Sequence, residues 1–230
     1  MHTETMAAWV VITGLIRDES FLLGRLDFFF NQKQVGNVAQ LIFSTWTGEI
    51  EKWPAVKAAI KKYEFVLVES DQPDIKCSGH YIHQVISLRN ALEICPDNQF
   101  VLRCRTDKCG PESGVIDEEI AAFLTKKSYI KKVKTGSDIF DFKIGTLGYH
   151  TNVSNSAPAF FFWHDRCYFG LKEDLLKLIN YNALSFSFEN LIPEQVLFAT
   201  IFLQEWPIFK LFFKSANQIE VIHKIFFNKQ

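Results

Sequence analysis

Phe100–Val101–Leu102–Arg103–Cys104–Arg105–Thr106–Asp107 is the stretch that decides the fold. It opens apolar and closes on two arginines and an aspartate, the pattern of a buried strand that surfaces at its C-terminal end. In an open α/β sheet that end faces the ligand crevice. Guanidinium groups there suit phosphate oxygens, and a lone carboxylate suits a divalent metal that keeps its waters and takes oxygens from a diphosphate. The plain alternative is an ion pair at a strand end.

Upstream of this stretch the chain alternates. Ala8–Thr13 is a short apolar run closed by Gly14, a buried first strand. Asp18 can cap a helix whose stripe is Phe21, Leu22, Arg25, Leu26, Phe28 and Phe29. Val38–Phe43 is a second apolar run, followed by Ser44-Thr45-Trp46. Pro54 opens a further helix with Val56, Ala59 and Ile60 inward. Glu64–Val68 reads as the third strand and Ser78–Leu92 as a helix. Four strands alternating with three helices predict βαβ units and a parallel sheet. Right-handed crossovers then bring Thr13-Gly14, Ser44-Thr45-Trp46, Glu69 and Arg105-Thr106-Asp107 to one edge.

Downstream the pattern changes. Gly110, Pro111 and Gly114 mark a loop, Asp117–Leu124 a short helix, and Gly145–Pro158 a mobile active-site loop. Ala159–Trp163 reads as a strand, with His164-Asp165-Arg166 and then Phe169-Gly170 repeating the order strand, charges, turn. Asp165 can face substrate hydroxyls or pair with its neighbour Arg166. Lys172–Tyr181 and Glu194–Trp206 read as helices. Glu194, behind Pro193, either complements the helix dipole or serves as general base for an acceptor hydroxyl.

Composition narrows the classes. A net charge of −1 argues against sequence-independent nucleic-acid binding, which needs a basic excess. No apolar run is long enough for a transmembrane helix and no signal-peptide pattern opens the chain, so a cytoplasmic protein with reduced thiols is expected. The five cysteines show no pairing pattern, and Cys104 and Cys109 read as packing residues. Cys77, His80 and His83 have a metal-like spacing but no second ligand cluster, so zinc is the lesser reading. The lysines between 126 and 134 read as a solvated face, and the Phe-rich C-terminal part as core; a peripheral membrane contact, at the inner face, is the minor alternative. There is no Walker loop, no G-x-G-x-x-G and no nucleophile elbow. No linker or repeat divides the chain, so residues 1–230 are expected to form one domain.

In order along the chain, Thr13-Gly14 with Arg17, Phe43-Ser44-Thr45-Trp46, Gln84 and Ser87, and the block Val101 to Asp107 resemble the WavE-type lipopolysaccharide-synthesis family. Asp165-Arg166-Cys167-Tyr168-Phe169-Gly170 and Pro193-Glu194-Gln195 are similar to its later blocks. The resemblance runs from residue 8 to about 206. It implies a GT-A-like, Rossmann-like, mostly parallel sheet flanked by helices, with a helical Phe-rich C-terminal part. Residues 1–107 would be the nucleotide-sugar-binding half and 108–230 the acceptor-side half. The implied activity is glycosyl transfer from a nucleotide sugar to a glycan or glycolipid. Donor contacts would come from Gly14, Arg17, Trp46, Gln84, Arg89, Arg103, Arg105 and Asp107, with Asp107 on Mn²⁺ or Mg²⁺ and Asp165 or Glu194 acting on the acceptor. Where such folds carry a second acidic residue, two before Asp107, this chain has Arg105. The competing classes are a nucleotide-sugar-binding protein without turnover and a protein-interaction module.

Overall fold

The computed structural model describes residues 7–74, 80–107, 120–125, 144–146 and 167–179. Within them a six-stranded sheet has the order β3-β2-β1-β4-β6-β5. β1 (Ala8–Thr13), β2 (Val38–Trp46), β3 (Val66–Ser70) and β4 (Phe100–Arg105) are parallel. β6 (Cys167–Leu171) runs antiparallel to β4, and the two-residue β5 (Gly145–Thr146) antiparallel to β6. The α/β class and the mostly parallel sheet flanked by helices thus agree with the sequence.

Strand alternation sorts the core into two layers. Val10, Ile12, Leu41, Phe43, Leu102, Cys104 and Phe169 face one cluster with Leu22, Leu26 and Phe29 of α1 (Glu19–Gln34), Val56 and Ile60 of α2 (Pro54–Lys62), and Ile120 and Leu124 of a helical segment at 120–125. Residues of opposite parity, among them Val11, Ile42, Ser44 and Arg103, face α3 (Tyr81–Ile94). α4 (Lys172–Leu178) packs on that same side, where Leu175 lies against Gly170.

Local chemistry sets the helix ends. The Asp18 carboxylate accepts from Phe21 N at 2.9 Å, satisfying an N-terminal amide of α1, and no β-branched residue interrupts the helix. α1 stops in a Schellman motif: Gly36, at φ +79°, donates to Lys33 O, and Asn37 donates to Gln32 O. α2 ends the same way, with Glu64 at φ +53° donating to Lys61 O and Phe65 to Ile60 O. Lys172, buried, ties the start of α4 to the end of α3 by donating to Cys95 O at 2.6 Å and Asp97 Oδ1 at 2.7 Å.

Several boundaries differ from expectation, each for a physical reason. β3 begins at Val66 because the α2 Schellman motif uses Glu64 and Phe65. β2 runs on through Ser44, Thr45 and Trp46, since these pair with Val68, Glu69 and Ser70 of β3. Ser44 tolerates full burial because its hydroxyl donates to Ser87 O at 2.8 Å. Phe169-Gly170 is strand, not turn: a Cβ on Gly170 would sit 3.1 Å from Ile144 and from Leu175, so glycine there makes room for α4. Gly145–Thr146, assigned to a loop from sequence, is ladder. The rest of that loop lies outside the described residues. So do Cys77, Cys109, the lysine run, Ala159–Trp163, Asp165, Glu194 with its helix, and the Phe-rich C-terminal part. Of the half 108–230, only 120–125, 144–146 and 167–179 are described. No described helix is long and apolar enough to cross a membrane.

Candidate functional site

The strand order runs 3-2-1 and then jumps to β4, so it reverses between β1 and β4. In open α/β sheets the crevice beyond the strand ends at such a reversal is where ligands bind. Two segments leave the sheet there, 14–18 after β1 and 106–107 after β4. They are stitched together. Thr106 N donates to Thr13 O at 3.2 Å, and its hydroxyl donates to Leu15 O at 2.5 Å. Gly14 N donates to Ser44 O, and Thr45 Oγ1 donates to Gly14 O at 3.1 Å. The four strand ends therefore converge as the alternation predicts.

Gly14 has φ +124°, a backbone that L side chains rarely adopt, and a Cβ there would stand 3.0 Å from Thr106 Oγ1. The close approach that glycine permits is thus to Thr106 of the protein itself, not in the first place to a ligand. Glu49, buried, braces the same loop from outside. It accepts from Ile16 N at 3.2 Å, Lys52 Nζ at 2.8 Å and Trp53 Nε1 at 3.3 Å. Burial alone would raise its pKa, but the Lys52 ammonium and the two N–H donors outweigh that and hold the carboxyl below its ordinary value.

At the rim stand Arg17, Arg105 and Asp107. Arg105 Nε donates to Asp107 Oδ1 and Nη2 to Oδ2, both at 2.9 Å, a bidentate fork. Arg17 Nη1 lies 3.8 Å from Asp107 Oδ2, with its side chain 65% exposed against 28% for Arg105 and 14% for Asp107. Arg25, in the stripe of α1, reaches across to donate to Arg105 O at 3.1 Å, so α1 fixes the backbone from which Arg105 projects. Burial pushes the Asp107 pKa up, yet the Arg105 bonds and the charges of Arg105 and Arg17 bring it net below the usual carboxylate value.

The other sequence candidates go elsewhere. Arg103 is 1% exposed; its Nε donates to Thr13 Oγ1 at 3.0 Å, its Nη2 to Gln84 Oε1 at 3.3 Å, and its guanidinium lies 5.0 Å from the Tyr168 ring centroid. Through Gln84, Arg103 docks α3 on the sheet and is itself shut off from solvent. Trp46 is 5% exposed and meets the His83 ring edge-on at 5.6 Å, so it packs rather than offering a stacking face. Arg89 lies on the exposed side of α3, where Glu93 accepts from its Nε at 3.3 Å; the rim cluster is built without it. Glu69, at the far end of the edge, accepts from Gly48 N.

Among the described residues the donors at the rim do not fit the expected Mn²⁺ or Mg²⁺. Asp107 is the described carboxylate at this rim, and each of its oxygens receives a guanidinium N–H, with a second guanidinium alongside. A divalent cation drawn to it would face the bonded Arg105 guanidinium and the nearby charge of Arg17. Among the described residues no group of three or more His, Cys, Asp or Glu side chains is placed to hold a metal. His80 and His83 stack edge to face at 5.3 Å, and burial first, then the charge of His80, lowers the pKa of His83. The buried thiols are held protonated: burial pushes Cys95 up to about 12 despite the nearby Lys172, and raises Cys167, whose Sγ is 3.4 Å from Cys104 Sγ. Cys104 is a packing residue, as expected.

Sequence reasoning missed Glu49, Thr106 as a lock on Gly14, and Lys172 as a helix tie. Arg25 was visible as the one charge within an apolar stripe, a signal that such a residue reaches a partner from the core. No protein-family model matches the chain, and no curated protein matches it.

Proposed function

We propose that the chain is a GT-A-like glycosyltransferase that binds a nucleoside diphosphate sugar across the rim between β1 and β4. One observation carries this reading: two arginines, Arg17 and Arg105, stand at the strand-order reversal, where sheets of this kind take phosphorylated ligands. The order of motifs shared with the WavE-type family supports it. In the transfer the bond from the sugar anomeric carbon to the phosphate oxygen breaks, and a bond to the acceptor oxygen forms. The acceptor proton goes to a carboxylate, and the nucleoside diphosphate leaves with the electron pair. Guanidinium groups at the rim would stabilise the charge growing on that leaving group, where electrostatic help counts most. Asp165 or Glu194 would take the proton, with a glycan or lipopolysaccharide-type acceptor, and the membrane's inner face is where a glycolipid acceptor would be met.

A thermal-shift panel with UDP, GDP and CMP and their sugars tests the binding step. A nucleotide present at about 100 times its Kd adds about 2.7 kcal/mol, which raises Tm by roughly 5–10 °C for a chain of this size. No shift with any member of the panel rejects the reading. A shift without sugar transfer or donor hydrolysis would make the chain a binding protein.

A further inference from the structure

We infer that the rim takes its anion through guanidinium groups without a divalent cation, and that Asp107 serves as the positioning residue for Arg105 and not as a metal ligand. The inference rests on the proposed function only for the anion's identity as a diphosphate.

The argument is geometric. A carboxylate that is to bind a metal must turn lone pairs toward an open position. Each Asp107 oxygen already accepts from one guanidinium at 2.9 Å, so a cation would have to approach beside that positive charge. The backbone that carries Arg105 is held by Arg25 at the Arg105 carbonyl and by Thr106 bonded to both Thr13 and Leu15. Arg105 Nε and Nη2 are committed to Asp107, so the orientation of the whole fork is set by the carboxylate. Arg17, much the more exposed, completes a pair of cations about one anion. The residue two before Asp107 is the arginine that neutralises it. With Asp107 between them the two guanidinium groups carry one net positive charge, which a diphosphate's non-bridging oxygens would meet at the exposed Arg17.

The experiment is calorimetric titration of the full chain with inorganic pyrophosphate and with UDP, GDP and CMP, in EDTA and separately in Mn²⁺. Pyrophosphate and at least one nucleotide are expected to bind in EDTA, with Kd changed less than about threefold by the metal. Arg105→Ala should weaken binding in EDTA by roughly 10- to 100-fold, the loss of charge-assisted bonds. Asp107→Ala should weaken it too by freeing the Arg105 fork. Asp107→Asn, which keeps an acceptor oxygen for Arg105 but no metal-binding carboxylate, should restore it. A merely structural role would not produce that rescue, and thermal midpoints of the variants separate misfolding from lost affinity. Binding that appears only with Mn²⁺ and vanishes in Asp107→Asn overturns the inference and leaves the nucleotide reading standing. Pyrophosphate binding in EDTA without any nucleotide binding does the reverse. No binding in either condition removes both.

Discussion

Arg103 and Arg105 sit two residues apart on β4, on the same face of the strand, yet they belong to different worlds. Arg103 is enclosed, capped by Gln84 in the first turn of α3 and by the Tyr168 ring, with Thr13 taking its Nε. Arg105 lies one step further along the strand, paired with Thr13 of β1, and its side chain is 28% exposed. What separates them is the cover that Gln84 of α3 and the Tyr168 ring give to Arg103. The same residue type becomes a structural strut under a helix and a partly exposed ion-pair partner of Asp107 beyond it.

This contrast gives an ordered set of tests. The largest effect should come from Arg103→Ala, which leaves Thr13 and Gln84 without their donor and opens a void beneath α3. We expect a loss of about 3 kcal/mol in urea unfolding, against about 1 kcal/mol or less for Arg105→Ala. Equal losses would break the distinction between strut and rim. Next, Gly14→Ala should cost about 2 kcal/mol, from a forbidden φ and from the contact with Thr106. Adding Thr106→Ala should recover the contact share but not the backbone share. A fully neutral Gly14→Ala would mean that the loop is not locked as described. The smallest effect is a pH dependence. Glu49 and Asp107 both have pKa values in the fold below their ordinary ones, so the unfolded chain takes up protons first on acidification. Their stabilisation is complete above those ordinary values, about pH 4–4.5, and fades as pH falls through the folded values. Glu49→Gln should flatten part of that acid limb in a series of thermal midpoints, and an unchanged limb would remove Glu49 from the brace.

The functional half of the contrast was only partly legible beforehand. The block ending at Asp107 announced a charged strand end, because an apolar run followed by charge can lie in few other places. Which of its charges would face solvent was not legible, since Arg103 is covered by Gln84 of α3 and Tyr168 of β6, and Trp46 by His83 of α3, elements distant in sequence. Gly170 misled for a related reason. Glycine next to aromatics reads locally as a turn, but here it clears space for Leu175 across a packed layer.

The sequence alone determined the alternation of strands and helices, the cap at Asp18 and the convergence of strand ends at one edge. These depend on hydrophobic period, on side chains bonding within a turn of themselves, and on the handedness of L-residues. Only the tertiary structure decided that Asp107 is gripped by Arg105 and Arg17, that Arg103 is interior, and that Gly14 answers to Thr106. Those facts follow from which elements cover a strand, and pairwise contacts between distant segments leave no mark in local pattern.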